Sequence, residues 1–368
     1  MDFRTDETTG ELVKLARDIA TKISTPERVA ELEEKTAPLD ETLWRELGSA
    51  GLIGLELPED LAGVGGGRTT VDTVAVATEV GRALGVVPYA TTAIAVLPTL
   101  AGWSGAKRDE LLAKVAGGEA VIAAAVDEDT VYDPFAPAAV KVSKGKLSGT
   151  KVNVAFAGAA HALLVTADGE KGPIAVLVDT GATGVTITAA PSTGLLPTAQ
   201  VDFAEVAVAD GDVVADGAEA VAALVDRMNL AACAEQCGVV DEALRRTAEY
   251  AADREQFDRK IGSFQAVAQR LADGYIDVQG LQLTTTQAAW QLSEGIDAAE
   301  AIDTAKFWAG QAGHRVGHTA VHVHGGVGLD TSHPTHRYFL RAKQNEYSLA
   351  GEPAVLARLG DRIAADPA

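Results

Sequence analysis

Cysteine and methionine are scarce in this 368-residue sequence, which contains two of each. Cys233 and Cys237 lie four residues apart in a helical pattern, and a helix holds such a pair in poor geometry for a disulfide. This argues against a disulfide-stabilised secreted fold and, less strongly, against a metal pair. The spacing predicts two free thiols that pack as small hydrophobic groups in a reducing compartment.

Basic side chains are also under-represented, with 31 against 52 acidic ones and a net charge of −21 at pH 7. This charge argues against nucleic acid or an anionic membrane as a partner, and it repels anionic substrates at long range. A phosphate or coenzyme A site must therefore be a local basic spot. Arg254 with Arg259 and Lys260 forms one such spot.

Long apolar runs are missing as well. We find no stretch of 18 apolar residues, and the first ten residues contain neither a basic segment nor an apolar one. We therefore expect a cytoplasmic protein.

The residue pattern changes character twice along the chain. Residues 1–118 repeat apolar side chains at helical spacing, and Asp40 is placed as a helix N-cap. Residues 119–215 are rich in Val, Thr and Gly, and Lys144 with Gly145 predicts a hairpin turn between alternating strands. Residues 216–368 are helical again, in segments 217–253, 264–292, 298–322 and one after Pro353. The pattern predicts an α+β protein with an N-terminal helical domain, a middle antiparallel β-domain and a C-terminal four-helix bundle.

The bend after the first long C-terminal segment carries a cation and an amide. Arg254 ends that segment, and Gln265 opens the next one after a turn that contains Gly262. The planar fork of an arginine suits a phosphate or carboxylate, so the two side chains could share a ligand. The alternative is an arginine paired with Asp253 or Asp258 on a solvated surface.

A second candidate loop follows the third long segment. His324, Gly325, Gly326 and Gly328 leave backbone N–H groups bare, which allows the backbone to approach a ligand. The alternative is an ordinary glycine C-cap of a helix.

Histidines cluster just before this loop, at positions 314, 318 and 322, with a spacing that puts them on one helical face. Such a face can hold zinc or iron, but no glutamate or cysteine joins it here. We expect the imidazoles to pack inside the bundle or to line a subunit contact.

These two stretches resemble the acyl-CoA dehydrogenase family. Arg254, Phe257 and the pair Phe264-Gln265 match its Arg-x-x-Phe and Phe-Gln pattern, and residues 322–328 (HVHGGVG) resemble its glycine loop, with histidine where glutamine is usual. The similarity covers nearly the whole chain. Within the family it is strongest to the smaller, base-lacking subunits of actinobacterial steroid and cholesterol side-chain dehydrogenases, which are built from two different chains.

The resemblance implies a role for these stretches in binding the adenosine and pyrophosphate of FAD held mainly by a neighbouring subunit. The residues implied are Arg254, Gln256, Phe257, Gln265, His322, His324, Gly325 and Gly326.

The family's catalytic glutamate has no counterpart here. Its two known positions fall on Leu349 and Met228, neither of which can take a proton. Glu235, Glu346 and Glu352 are the candidate substitutes. The segment that contacts the flavin ring in the family is replaced by residues 124–137 (AAVDEDTVYDPFAP).

The resemblance therefore implies a division of labour within a heterotetramer of two copies of each of two chains. This chain would supply FAD contacts, while a second acyl-CoA dehydrogenase-like subunit would supply the catalytic glutamate and most of the acyl-CoA pocket, with electrons passing to a further acceptor. Two alternatives stay open: a self-sufficient homotetramer that uses a displaced glutamate, and a flavin-dependent oxidase or monooxygenase component on the same fold.

Overall fold

Three groups of elements follow one another in the computed structural model, which describes residues 6–190, 192–194, 196–349 and 351–365. The first group is helical, and its helix α3 begins at the predicted cap, since the Asp40 carboxylate accepts hydrogen bonds from the Thr42 and Leu43 amides. Its elements are α1 (Glu7–Ile23), α2 (Pro26–Glu34), α3 (Glu41–Ser49), α4 (Thr70–Arg82), α5 (Tyr89–Thr91), a π-helical turn (Thr92–Val96), α6 (Leu97–Ala101) and α7 (Arg108–Ala116).

The second group is a sheet in the spatial order β6-β7-β3-β2-β4-β5-β8, with β1 paired to β4. The predicted antiparallel pairing is observed, except that β1 and β2 run parallel to β4. Lys144 and Gly145 form the predicted turn between β2 and β3, both with positive φ. The strands are β1 (Ile122–Ala125), β2 (Lys141–Ser143), β3 (Lys146–Ala155), β4 (Ala162–Gly169), β5 (Gly172–Asp179), β6 (Val185–Ala189), β7 (Thr198–Ala207) and β8 (Val213–Asp216).

A buried ion pair holds this sheet to the segment that follows β1. The Lys151 Nζ atom lies 2.6 Å from a Glu128 carboxylate oxygen and 3.0 Å from the Thr166 hydroxyl, and both charged side chains are almost completely buried. The Glu128 carboxylate also accepts hydrogen bonds from the amides of Ala139 and Val140. Because every charge is paired and hydrogen-bonded, the segment after β1 has a fixed path.

The third group is again helical and contains one helix that the sequence pattern did not predict. α8, α9, α10 and α12 correspond to the predicted segments, whereas α11 is additional and packs on both α8 and α10. A small hairpin, whose two strands are each two residues long, joins α8 to α9. The elements are α8 (Ala218–Asp253), β9 (Glu255–Gln256), β10 (Arg259–Lys260), α9 (Gln265–Ser293), α10 (Ala299–His324), α11 (Thr335–Tyr347) and α12 (Glu352–Ala365). The division into domains at residues 118 and 215 stays a prediction.

α8 touches the N-terminal helices at very short range. A Cβ atom added to Gly238 would lie 1.9 Å from the Thr78 carbonyl oxygen of α4, so only glycine allows this approach. Cys233 and Cys237 lie on the same helix as free, buried thiols, as predicted, and burial raises the pKa of each to about 12. Among the described residues, no helix is both long and apolar enough to cross a membrane.

An acidic pair lies where α8, α10 and α12 meet. Asp303 is buried and bonded to Arg358, with Arg362 also near, while one carboxylate oxygen of Asp226 is buried with no hydrogen-bond partner among the described residues. Burial, followed by the charge of Asp303, raises the pKa of Asp226 from its ordinary 3.8 to about 7.

This raised pKa predicts a pH-dependent loss of stability that Asp226→Asn removes. Between about pH 4 and pH 7 the unfolded chain ionises Asp226 and the folded chain does not, so stability falls as pH rises through this window. The loss is at most roughly 4 kcal/mol. Urea unfolding at a series of pH values measures the free energy of unfolding of both proteins. The variant should become more stable relative to the wild type from pH 4 to pH 7, and the difference should stay constant above pH 7. The exposed control Asp210→Asn should give a flat difference. A flat difference for Asp226→Asn would contradict the assignment.

Candidate cofactor-binding surface and active-site cavity

The predicted cofactor motif forms an exposed arm between α8 and α9, here defined as residues 254–265. α8 ends at Asp253, and the turn of the hairpin is made by Phe257 and Asp258, both in the left-handed region with φ of +53° and +60°. The Phe257 side chain is 86% exposed. Its ring is therefore accessible to another molecule.

The Arg254 side chain is free for a ligand. It is exposed, and it forms no hydrogen bond or ion pair with the described residues. Arg254 does not pair with a neighbouring aspartate, which was the alternative. Asp253 instead lies beside Lys260, with 4.0 Å between its carboxylate oxygen and the Lys260 Nζ atom. The Lys260 Nζ atom lies 2.9 Å from Glu255.

The arm is held in shape by its own aromatic contacts. The rings of Phe257 and Phe264 meet edge to face with centroids 6.2 Å apart, and the Arg259 guanidinium lies 3.9 Å from the Phe264 ring centroid. Gln265 then opens a 29-residue helix with no side-chain cap at its N-terminus. Its exposed first-turn N–H groups carry partial positive charge and favour an anion.

The glycine loop begins where α10 ends. Gly325 has φ of +61°, and a Cβ atom added to either Gly325 or Gly326 would meet nothing within 4 Å. Packing within the chain therefore does not explain glycine at 326. Gly328 differs, since its Cβ atom would lie 2.8 Å from the Val321 carbonyl oxygen.

One stacked pair brings the arm and the glycine loop to the same end of the helical bundle. The rings of Tyr250, one turn before Arg254, and His324 stack with centroids 4.2 Å apart. His324 is buried, its Nδ1 atom lies 2.8 Å from the Ala320 carbonyl oxygen, and burial lowers its pKa. The structure thus places His324 behind the surface as a packing residue, whereas His322 is exposed.

These residues fit the adenosine diphosphate half of FAD. The surface offers an unpaired guanidinium, an exposed helix N-terminus, two exposed glycines and an exposed aromatic ring, which together suit a pyrophosphate and a planar base. Gln256 and Gln265 are exposed at the same arm, although the Gln256 amide donates to the Glu255 carbonyl oxygen.

A cavity of about 590 Å³ lies elsewhere, between β1, β3, α8 and α11. Met228 and Leu349 both line it, so the two positions where the family's catalytic base is expected converge on one space. Both side chains are buried, and Leu349 adopts a left-handed conformation with φ of +54°. Neither can accept a proton, so the cavity lacks the expected base.

The three glutamates that could substitute are each bound to another side chain. Such pairing occupies the oxygens that a base would use. Glu235 lines the cavity and is bonded to the fully buried Arg341, Glu346 lies 2.6 Å from Lys343 and 3.2 Å from His314, and Glu352 lies 2.6 Å from Gln311.

Asp127 is a cavity carboxylate that the sequence pattern did not single out. Burial raises the pKa of this carboxyl group, against the opposing effect of the charges of Lys151 and Lys306. Its position after a buried strand, within residues 124–137 where the chain differs from the family pattern, could have pointed to it.

That segment forms a strap across the C-terminal turn. The Gly351 amide donates to the Tyr132 hydroxyl at 3.2 Å, and Asp133 pairs with Arg358 at 3.3 Å. The Arg358 guanidinium also lies 4.5 Å from the Phe135 ring centroid. Residues 127–135 therefore brace the turn that carries Leu349.

The histidines of α10 pack against neighbouring side chains. His314 and His318 lie 4.5 Å apart between ring centroids, and His318 meets the edge of Phe339 at 5.2 Å. Within the described ranges, no group of three or more His, Cys, Asp or Glu side chains is arranged to hold a metal ion.

Comparison with known proteins places these features in context. The profile of the acyl-CoA dehydrogenase N-terminal domain matches residues 6–119, and that of the C-terminal domain matches residues 215–359. The chain is 40% identical to the acyl-CoA dehydrogenase FadE27 of Mycobacterium tuberculosis over the full length of both.

Two solved structures are similar in sequence as well as in shape. The crystal structure of the ChsE4-ChsE5 complex from Mycobacterium tuberculosis matches with a TM-score of 0.91 and 41% identity, covering 100% of both chains. A variant of the Tcur3481-Tcur3483 steroid ACAD matches with a TM-score of 0.89 and 36% identity, covering 98% of both chains.

The contrast between two arginines gives a prediction about folding stability. Arg254→Ala should change the free energy of unfolding by no more than about 0.5 kcal/mol, because the exposed side chain has no contact to lose. Arg341→Ala should cost roughly 3–5 kcal/mol, because it leaves Glu235 without its partner. Urea unfolding of the full chain measures both, and equal losses would show that the arm is a structural element.

Proposed function

The chain belongs to the acyl-CoA dehydrogenase family of FAD-dependent oxidoreductases, and from this we propose that it is the base-lacking subunit of a heteromeric enzyme. The observation that carries the proposal is the cavity, where Met228 and Leu349 occupy both expected positions of the base. An enzyme that removes an α-proton needs a carboxylate or another base at that point.

The geometry of α8 separates the cavity from the arm. Met228 and Arg254 lie 26 residues apart along one continuous helix, which at 1.5 Å per residue is about 39 Å. One FAD molecule cannot bridge this distance. The arm therefore serves a cofactor whose flavin ring lies in another chain.

This chain's residues bind and orient one end of that cofactor. Arg254 and the N-terminus of α9 would neutralise the pyrophosphate, Phe257 would lie against the adenine, and the missing side chains of Gly325 and Gly326 would let the cofactor approach the backbone. FAD, when bound, accepts a hydride from the β-carbon of the acyl thioester. The catalytic glutamate and most of the thioester pocket belong to the partner.

The partner is a second acyl-CoA dehydrogenase-like chain in a two-plus-two assembly. One similar structure is the ChsE4-ChsE5 complex, and the other is the Tcur3481-Tcur3483 steroid ACAD, so both support an assembly of two different chains. The second also supports a steroid side-chain thioester as the substrate. The described chain also leaves large apolar side chains exposed on the arm and on α9, as a subunit interface requires. These are Phe257, Tyr275, Ile276 and Leu283.

The position of Asp127 favours a self-sufficient enzyme instead. It is a carboxylate on the cavity wall with a raised pKa, which is a property of catalytic bases. In that case the purified chain alone would bind FAD and oxidise an acyl thioester, and Asp127→Asn would abolish turnover.

The proposal predicts that FAD content depends on the arm of this chain. We expect the purified complex to be a two-plus-two tetramer with about two FAD molecules. Arg254→Ala should lower FAD affinity at least tenfold without changing assembly, because one charge-assisted contact to phosphate is lost. Flavin absorbance combined with light scattering after size exclusion measures both quantities.

A matched control is Arg45→Ala, which removes an exposed arginine from the N-terminal helices and should leave FAD content unchanged. A yellow homotetramer of this chain alone, with one FAD per subunit, would overturn the proposal.

A further inference from the structure

The cavity around Met228 remains after the shared cofactor site is accounted for. About 590 Å³ is within the usual range of small-molecule pockets, and the wall is mainly apolar. Its apolar lining includes Phe156, Met228, Phe339, Leu340 and Leu349. The proposed reaction needs no such space in this chain, since no base lines it at either expected position.

The charges of the wall decide what such a space can hold. The charged side chains among the described lining residues are Asp127, Glu235 and Lys343, and no arginine is among them. Glu235 is neutralised by Arg341, and Lys343 by Glu346 at 2.6 Å. The charges of the buried Lys151 and Lys306 act on Asp127, so the charges of the wall are balanced within the protein and leave no free cation for a buried anion.

We propose that this cavity is a binding site for a neutral, mainly apolar small molecule with one hydrogen-bonding group, such as a polycyclic ketone or alcohol, and not for an acyl thioester. Coenzyme A carries several phosphate charges, for which the described lining residues offer no unpaired cation and which the net charge of −21 opposes.

Asp127 and Asn153 supply the polar end of the site. Both line the cavity, and the Asn153 amide adds donors and an acceptor beside the Asp127 carboxyl group. A carbonyl or hydroxyl group can join this pair, while ring carbons pack on the apolar wall. Met228 adds a flexible thioether that adjusts to irregular shapes. Under the proposed function the flavin ring lies in another chain and no base stands at positions 228 or 349, so the ligand is held and not converted.

The methyl group of Met228 can serve as an NMR probe of this cavity, because the chain contains only two methionines. Met1 and Met228 are the two methionines, so labelling with methyl-13C methionine puts one internal signal on the cavity wall. Met228→Leu assigns that signal by removing it. The labelled full chain is studied in its complex with unlabelled partner, so that ligands bound by the partner do not obscure the readout.

Titration with Nile red, a neutral polycyclic dye, should shift the Met228 methyl signal to saturation, whereas octanoyl-CoA should leave it in place. Ala232→Phe fills the cavity from α8, and Thr91→Phe fills it from the N-terminal helices. Either variant should weaken dye binding at least tenfold. The control Ala223→Phe adds the same ring at an exposed position of α8 and should leave binding unchanged.

Three outcomes would overturn the proposal. They are a Met228 shift with octanoyl-CoA, no shift with Nile red, and equal dye affinity in the wild type and in both filled variants. None of them bears on FAD content, so the shared-cofactor proposal is tested separately. Unchanged FAD content and assembly in the filled variants show that these variants are folded.

Discussion

The close contact between α8 and α4 is the constraint on which both sites depend. At Gly238 the two helices approach so closely that the Thr78 carbonyl leaves no room for a Cβ atom. The same contact region is reinforced from α11, whose Tyr338 hydroxyl donates to the Arg82 carbonyl oxygen at 3.1 Å. Because α8 is fixed there, its two ends are fixed too, with Met228 in the cavity and Arg254 at the arm.

The two ends of α8 have opposite characters. The arm end is exposed and carries a free cation in a protein with a net charge of −21, so its attraction for phosphate is local. The cavity end is mainly apolar, and its charged groups are balanced by partners within the protein. The proposed cofactor-binding arm and the apolar cavity therefore lie on one helix without sharing a ligand.

Much of this arrangement could be predicted from the sequence, because the residues within a long periodic helix and at its caps determine where it begins and ends. Asp40, the 144–145 turn and the segment 217–253 are examples. α11 was missed because buried polar residues, Arg341 and Asn345 among them, break its apolar pattern. Their partners, Glu235 and Gln236, are distant in sequence, and no local pattern shows them.

The sites divide in the same way. Arg254 and Gly325 could be proposed as cofactor-binding residues because each lies in a short motif. The convergence of Met228 and Leu349, which are 121 positions apart, needed the fold. His324 lies in a motif, yet its stacking on Tyr250 could not be predicted, since a motif does not tell which way a ring points. Asp127 had no motif at all.

The length of α8 also restricts how this protein can vary. Each residue of a helix turns the chain by about 100°. One insertion between Gly238 and Tyr250 would rotate the arm by that angle around the helix axis, separate Tyr250 from His324 and point Arg254 in a new direction. The strap at residues 127–135 lies in a loop, where an added residue can bulge outward. Relatives should therefore differ in length at the strap and keep the helical phase of α8.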